Sequence, residues 1–450
     1  MKVLLALMIV AVWLLPAASA AQGLPDRSAS KELQQPSTGK LIAINVKGND
    51  RYPAPDVIAA SGLKLGDTVT EEDFKRTAEH LGETGAFSNI VYSYSYSSAG
   101  TKLELQVTES DKIVPAEFEN FVWLGDKELV QQLHQYVPLF NGYLPISGNI
   151  TDQVAEALQA LLVQRGSKGR VDYLRAGPEG KPIDSIRFSV SNVEIRIRNV
   201  EFPGAAPADL PRLTSAAKKL QGDEYLKSKV ALFADYNLLP IYLERGYLKA
   251  RFAPPQAQLA AHATGNRDEN DSPGEVEVDV TLPVQAGRQF NVSEISWTGN
   301  SALPKDKLSP LIHLSGGEPA NAVQLKADLE SVQNLYKNRG YMAVEVQAVP
   351  HLDDTSGTAS YELKVQEGDL YRMGDVEIHG LDSRTTDRMR LAWALHEGDP
   401  FDASYPQRFL KETGRLVSPN IHWEISIHES VNQKEKTVDV ELRFTPQGVN

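Results

Sequence analysis

The stretch Gly287-Arg-Gln-Phe290-Asn-Val-Ser-Glu-Ile295-Ser-Trp297-Thr-Gly299 recurs as Gly368-Asp-Leu-Tyr371-Arg-Met-Gly-Asp-Val376-Glu-Ile378-His-Gly380, with glycine, aromatic, alternating apolar pair and closing glycine in one register. Two copies in register make the repeat the unit to be read. Ile295 and Trp297, like Val376 and Ile378, have the period of a strand with one buried face, and the closing Gly299 or Gly380 lets the backbone turn out of it. Each copy opens on a short strand.

Onward from such a glycine, a second one ends a helical pattern roughly 40 residues later. The pairs are Gly48 with Gly85, Gly204 with Gly246, and Gly299 with Gly340. An aromatic follows each, in Gly85-Ala-Phe87, Gly246-Tyr247 and Gly340-Tyr341. Glycine suits a left-handed helix stop, and the aromatic packs back as the chain enters a strand. Between the glycines lie two helical patterns, 305–314 and 323–338 in the fourth copy, where Leu325, Leu329, Val332 and Tyr336 share a face. Two alternating segments follow, 343–349 and 361–365, joined by the turn-rich Asp353-Asp-Thr-Ser-Gly357. The unit reads β-α-α-β-β.

Other copies end on the same kind of strand: Leu103, Leu105, Val107; Val276, Val278, Val280, Leu282; Val438, Val440, Leu442, Phe444. The second copy lacks the strand-closing Gly-Asn but keeps a helix over 151–165, with Val154, Leu158, Leu161 and Leu162 on one side and Gly166 after it. The fifth replaces the second glycine with Ser418-Pro419-Asn420.

This array resembles the polypeptide-transport-associated (POTRA) repeats of the BamA family. The resemblance runs from about Lys40 to Thr445 and rests on Val365-Gln-Glu367-Gly368 leading to Tyr371, on Gly48-Asn49 and Gly299-Asn300, and on Gly246-Tyr247 and Gly340-Tyr341. It implies an α+β fold: tandem domains, each a three-stranded mixed sheet with two helices on one face, arranged as an elongated array. In that family such repeats form a periplasmic arm that receives unfolded outer-membrane proteins and docks partner lipoproteins ahead of a membrane β-barrel. The sequence ends at Asn450, directly after the fifth unit, so the expectation is a receiving or docking role rather than insertion through its own barrel.

The boundaries expected are a signal peptide over 1–20, a flexible leader over 21–39, and repeats over 40–112, 113–193, 194–287, 288–367 and 368–445, with a tail over 446–450. Lys2, the apolar run Val3 to Leu15 and Ala18-Ser19-Ala20 have the layout of a cleavable signal, with an uncleaved anchor as the rival. Its removal leaves 45 basic residues against 59 acidic ones, a net −14 that disfavours nucleic acid and anionic lipid surfaces. Membrane association is expected only through a partner, and the location expected is the periplasm. With no cysteine there is no disulfide framework, thiolate metal site or lipidated N-terminal cysteine.

Catalytic chemistry finds no foothold. The long loop 254–274 of the third repeat carries Asn266-Arg-Asp-Glu-Asn-Asp-Ser-Pro-Gly274, but Pro273 falls where a calcium loop needs its glycine, and a solvated hairpin loop accounts for it better. His422 and His428 share one face of a strand with no third ligand beside them. No nucleophile elbow, phosphate loop or paired metalloprotease histidines occur, so neither enzyme activity nor any cofactor is expected.

More informative is Ile90-Val-Tyr92-Ser-Tyr94-Ser-Tyr96, three tyrosines on one face and serines on the other. Either the tyrosines pack under the helices of the first repeat, or the strand is a peptide-accepting edge. In the resembling fold the second strand lies at a sheet edge, which makes Ile90, Tyr92, Tyr94 and Tyr96, together with Val344 and Val346 of the fourth repeat, the expected peptide-binding residues. The function expected is a non-catalytic periplasmic scaffold binding unfolded outer-membrane proteins or assembly or translocation partners by strand addition. The alternatives are a structural spacer in the cell envelope and an exported enzyme using the repeats as spacer.

Overall fold

The computed structural model describes residues 39–260, 275–418 and 421–447. The signal, the leader apart from Gly39, and the acidic loop over 266–274 lie outside them. Two compact units form, one from the residues up to Gly82 with Phe87–Glu109, the other from residues 83–86 with those from Ser110 onward.

In the first unit, Gly39–Lys47 runs parallel to Gly100–Glu109, which pairs on its other side with antiparallel Phe87–Ser97. Helices Ala54–Ser61 and Glu71–Glu83 are inserted between the first and second of these strands. Thr70 and Asp73 fix the start of the second helix reciprocally, the Thr70 amide donating to the Asp73 carboxylate at 2.8 Å and the Asp73 amide to the Thr70 hydroxyl at 3.3 Å. Phe74 and Leu81 of that helix are buried, as are Leu103, Leu105 and Val107 of the central strand. The alternation that makes the central strand one-faced is thus what holds the helix on the sheet.

The second unit repeats this scheme in four further sheets. Their strand orders are Tyr143–Pro145, Ile113–Phe118, Ser185–Ser191, Arg170–Ala176; then Gln256–Leu259, Glu275–Thr281, Glu194–Glu201; then Asn291–Thr298, Thr358–Gln366, Glu345–Asp353; and last Arg372–His379, Thr437–Pro446, Trp423–Asn432. In every one the last strand in sequence lies central, parallel to the first and antiparallel to the one before it. Val438, Val440, Leu442 and Phe444 are all buried, while the residues between them face away.

Two details differ from the sequence reading and one adds to it. The helix expected over 305–314 is only Lys305–Leu308 followed by a 3-10 turn at Ser309–Leu311, because Pro310 cannot donate to a continuing helix. The long helix of the third repeat passes through a π turn, Ala234–Leu238, just before Pro240. The strand expected over 343–349 is Glu345–Asp353 and so includes Pro350.

Candidate functional site: one open strand edge in each sheet

A sheet has two edges, and here they are treated differently. On the side of the first strand, the segment entering the second helix closes the edge: Thr68–Val69 pairs with Gly39–Lys47 and Tyr143–Pro145 with Ile113–Phe118, while single bridges join Arg196 to Glu224, Asn291 to Pro319 and Arg372 to Pro400. Three of these segments carry a proline at the pairing position, Pro145, Pro319 and Pro400, which cannot pass the ladder on to another strand. On the other side, among the described residues, nothing pairs with Phe87–Ser97, Arg170–Ala176, Gln256–Leu259, Glu345–Asp353 or Trp423–Asn432.

Which backbone groups face each open edge follows from register. The two-residue turn Ser98-Ala99 makes Ser97 and Gly100 a hydrogen-bonded pair. Antiparallel pairs alternate between bonded and non-bonded. Ser95 and Ser93, opposite Lys102 and Glu104, therefore use their backbone groups inside the sheet, and those of Ile90, Tyr92, Tyr94 and Tyr96 point outward. The side chains of the tyrosines do something else. The Phe74 ring lies 6.4 Å from that of Tyr92 and 5.2 Å from that of Tyr94, and the Tyr94 hydroxyl donates to Glu71 at 2.8 Å. That bond, with burial and the charge of Glu71 adding to it, raises the Tyr94 pKa. The two readings of this strand are compatible, since one concerns side chains and the other backbone.

In the fourth repeat, Pro350 stands opposite Tyr361 and has no N–H, so its nitrogen must face away from the sheet. Val346, Ala348 and Leu352 share that direction, whereas Glu345, Gln347 and Val349 bond inward. Val344 is a correction: it lies before the strand, its amide donating to Tyr341 at 3.3 Å. The side chains of Val344 and Val346 are both buried in the core with Val332 and Tyr336. In the third repeat the Ala260 amide donates to Glu277 at 3.0 Å, which sets Ala257 and Leu259 outward. In the fifth, the Gln447 amide donates to His422 at 2.8 Å, which sets Ile425 and Ile427 outward.

The glycines of the repeat fall into two structural groups, all at positive φ. Gly48, Gly299 and Gly380, at φ 78°, 79° and 88°, press against the carbonyls of Val107, Val365 and Phe444 in their central strands, leaving no room for a Cβ. Gly85 (φ 76°), Gly246 (φ 79°) and Gly340 (φ 92°) follow helices. The Gly246 carbonyl accepts the Phe290 amide at 2.8 Å and that of Gly340 the Tyr371 amide at 2.7 Å, so these helix stops are also joints to the next repeat. Tyr247 and Tyr341 pack edge-on to Tyr242 and Tyr336 of the preceding helices.

His422 and His428 gain no partner for a metal; among the described residues no group of three or more His, Cys, Asp or Glu is placed to hold one. No helix among them is long and apolar enough to cross a membrane.

A mixed sheet of this order, with two helices inserted after its first strand, recurs in all five repeats, and one of them matches a known family. Residues 290–368 match the POTRA family, described as surface antigen variable number repeat. The chain is similar to the outer membrane protein assembly factor BamA of Neisseria meningitidis serogroup B, 24% identical over 293 residues that make up 58% of this chain and 34% of that protein. It is also similar to the crystal structure of BamA POTRA3-5 from Haemophilus influenzae, at 18% identity and a TM-score of 0.41, covering 56% of this chain and 96% of that one. The chain spans only 34% and 27% of the length of the first curated relatives it matches.

Proposed function

We propose that this chain is a non-catalytic scaffold of the periplasm that receives extended, unfolded outer-membrane proteins, or strands of assembly partners, by strand addition at its open edges. The observation that carries this reading is the asymmetry of the sheets, with one edge closed and, among the described residues, the other left unpaired in all five. An unpaired strand edge is an aggregation hazard, and keeping five of them suits a protein whose partners supply the missing strand. Sequence similarity to an outer membrane protein assembly factor supports the same setting. Each net backbone hydrogen bond contributes only about 0.5–1.5 kcal/mol, so binding at one edge is weak and tolerant of sequence. Titration of the isotope-labelled protein with an extended outer-membrane-protein peptide tests this: shifts should concentrate on Ile90 to Tyr96 and Val346 to Leu352. Binding that leaves every open edge unperturbed overturns the reading, and no binding at all leaves the spacer role standing in its place.

A further inference from the structure

A cleft of about 640 Å³ lies between the segment following Ile113–Phe118 in the second repeat and the open-edge strand Gln256–Leu259 of the third. All four consecutive residues of that strand line it. Successive strand residues point to opposite faces, so a cavity touched by each of them runs along the backbone edge. That is the edge where, among the described residues, nothing pairs with the outward groups of Ala257 and Leu259.

The opposite wall is apolar. Phe121, Val122 and Leu124 are buried there, and Val122 and Trp123 pack into the core of the third repeat, which holds the two repeats against each other. Two of the charges nearest the apolar wall are paired, Lys227 with Asp126 at 2.8 Å and Glu119 with Arg187 at 2.9 Å, while Lys127 and Glu128, which also line the cleft, are exposed to solvent. Tyr225 lines the cleft and is 1% exposed, its amide donating to the Ile195 carbonyl at 2.7 Å. Burial, with Asp126 and Glu119 adding to it, pushes the phenol pKa up, so the hydroxyl stays protonated and can donate.

We propose that this cleft seats an aromatic or branched aliphatic side chain of an extended polypeptide paired with the open edge of Gln256–Leu259. The proposal rests on the strand-addition reading above and deepens it, because it makes the third repeat selective where a bare edge is not. The unpaired backbone row specifies an extended chain; a lipid acyl chain filling the same apolar space would leave that row unsatisfied. Against the buried apolar wall a charged side chain would lose its hydration without return, which favours an apolar one, and the Tyr225 hydroxyl offers a donor to a client carbonyl.

Gly125 allows a clean test. It lines the cleft at φ −69°, and a Cβ there would meet nothing within 4 Å, so Gly125→Phe fills the space without backbone strain. Ala257→Pro removes one outward N–H from the edge. Two fluorescent nine-residue peptides, alternating threonine with phenylalanine or threonine with alanine, are titrated into the full chain and followed by anisotropy. The phenylalanine peptide should bind wild type about tenfold more tightly, as expected for burying one such side chain. Both variants should abolish that advantage. An advantage absent from wild type, or surviving in either variant, overturns the cleft as a specificity site while leaving strand addition in place. Failure of both peptides to bind wild type overturns strand addition as well.

Discussion

The amide of Tyr371 donates to the carbonyl of Gly340 at 2.7 Å, and the carbonyl of Tyr371 accepts the amide of Phe401 at 3.0 Å. One repeat earlier the same run occurs: Phe290 donates to Gly246 at 2.8 Å and accepts from Ala320 at 2.8 Å. In each case the glycine ends a helix of one repeat, the aromatic opens the next, and the third residue adjoins the proline that closes the sheet edge of that next repeat. The joint between repeats and the closing of one edge are therefore a single hydrogen-bonded construction. This leaves the opposite edge as the place where further backbone can add.

The first prediction isolates the joint. At φ 92°, a Cβ on Gly340 would lie 2.5 Å from the Tyr371 carbonyl oxygen and 3.3 Å from the Phe401 nitrogen. Gly317 also has positive φ, 83°, but its Cβ would meet open space. Gly317→Val should cost about 1–2 kcal/mol through left-handed strain alone, and Gly340→Val clearly more. Calorimetry on the full chain should show the larger loss at Gly340, with unfolding of the last two repeats becoming less cooperative. Equal losses would mean the approach to Tyr371 is immaterial.

Much of this was legible in the sequence, and the reasons differ by element. Strands such as Val438 to Phe444 announce themselves because one face is buried and the other wet. Gly299 and Gly340 stood out because the repeat aligned them, yet spacing could not say that Gly340 contacts the next repeat, since that depends on how two domains meet. The open edges followed from topology rather than from any motif. The outward register did not: Val344 was misplaced because the strand begins only at Glu345, and Pro350, a residue that reads as a strand breaker, marks the edge instead. The cleft beside Gln256–Leu259 left no signal, because its walls come from two repeats.

The second prediction turns on that register. Ala348 points its backbone N–H outward and Gln347 inward, opposite Lys364. Ala348→Pro should leave the fourth repeat folded while weakening peptide binding at this edge. Gln347→Pro should lower stability by about 1 kcal/mol or more through loss of a ladder bond. Melting by circular dichroism and an NMR titration read the two effects separately, and a reversed pattern would show the register to be wrong.

Acid should act on the fifth repeat through Asp382. Its carboxylate caps helix Ser383–Ala392, accepting from the Thr385 hydroxyl at 2.7 Å and the Thr385 amide at 3.1 Å. The hydroxyl bond first, then the amide bonds, lowers its pKa. A depressed folded-state pKa contributes stability that is present above the ordinary aspartate range and lost as pH falls through the folded value. Asp382→Ala should flatten the acid limb of the stability profile below about pH 4. An acid limb identical to wild type would assign the titration to other carboxylates.

The last prediction sets packing against charge at the joint between the third and fourth repeats. Phe290 is fully buried and packs in a core that includes Leu248 of the preceding repeat, with Lys249 Nζ 5.6 Å from its ring centre. The same Lys249 pairs with Asp354 at 2.6 Å, across the joint, but its side chain is 47% exposed and that of Asp354 64%. Solvent screening holds such a pair to about 0–1 kcal/mol, and the cation over the ring adds about 0.5–1 kcal/mol at an exposed site. Deleting a buried phenylalanine costs about 3–5 kcal/mol, because the lost transfer energy is joined by that of the cavity. Lys249→Ala should therefore shift melting only slightly and lose even that effect in high salt, whereas Phe290→Ala should destabilise the fourth repeat and expose the connector at Ala286 to Gln289 to limited proteolysis. If Lys249→Ala opened the connector as readily as Phe290→Ala, electrostatics rather than packing would have to be what keeps the two repeats joined.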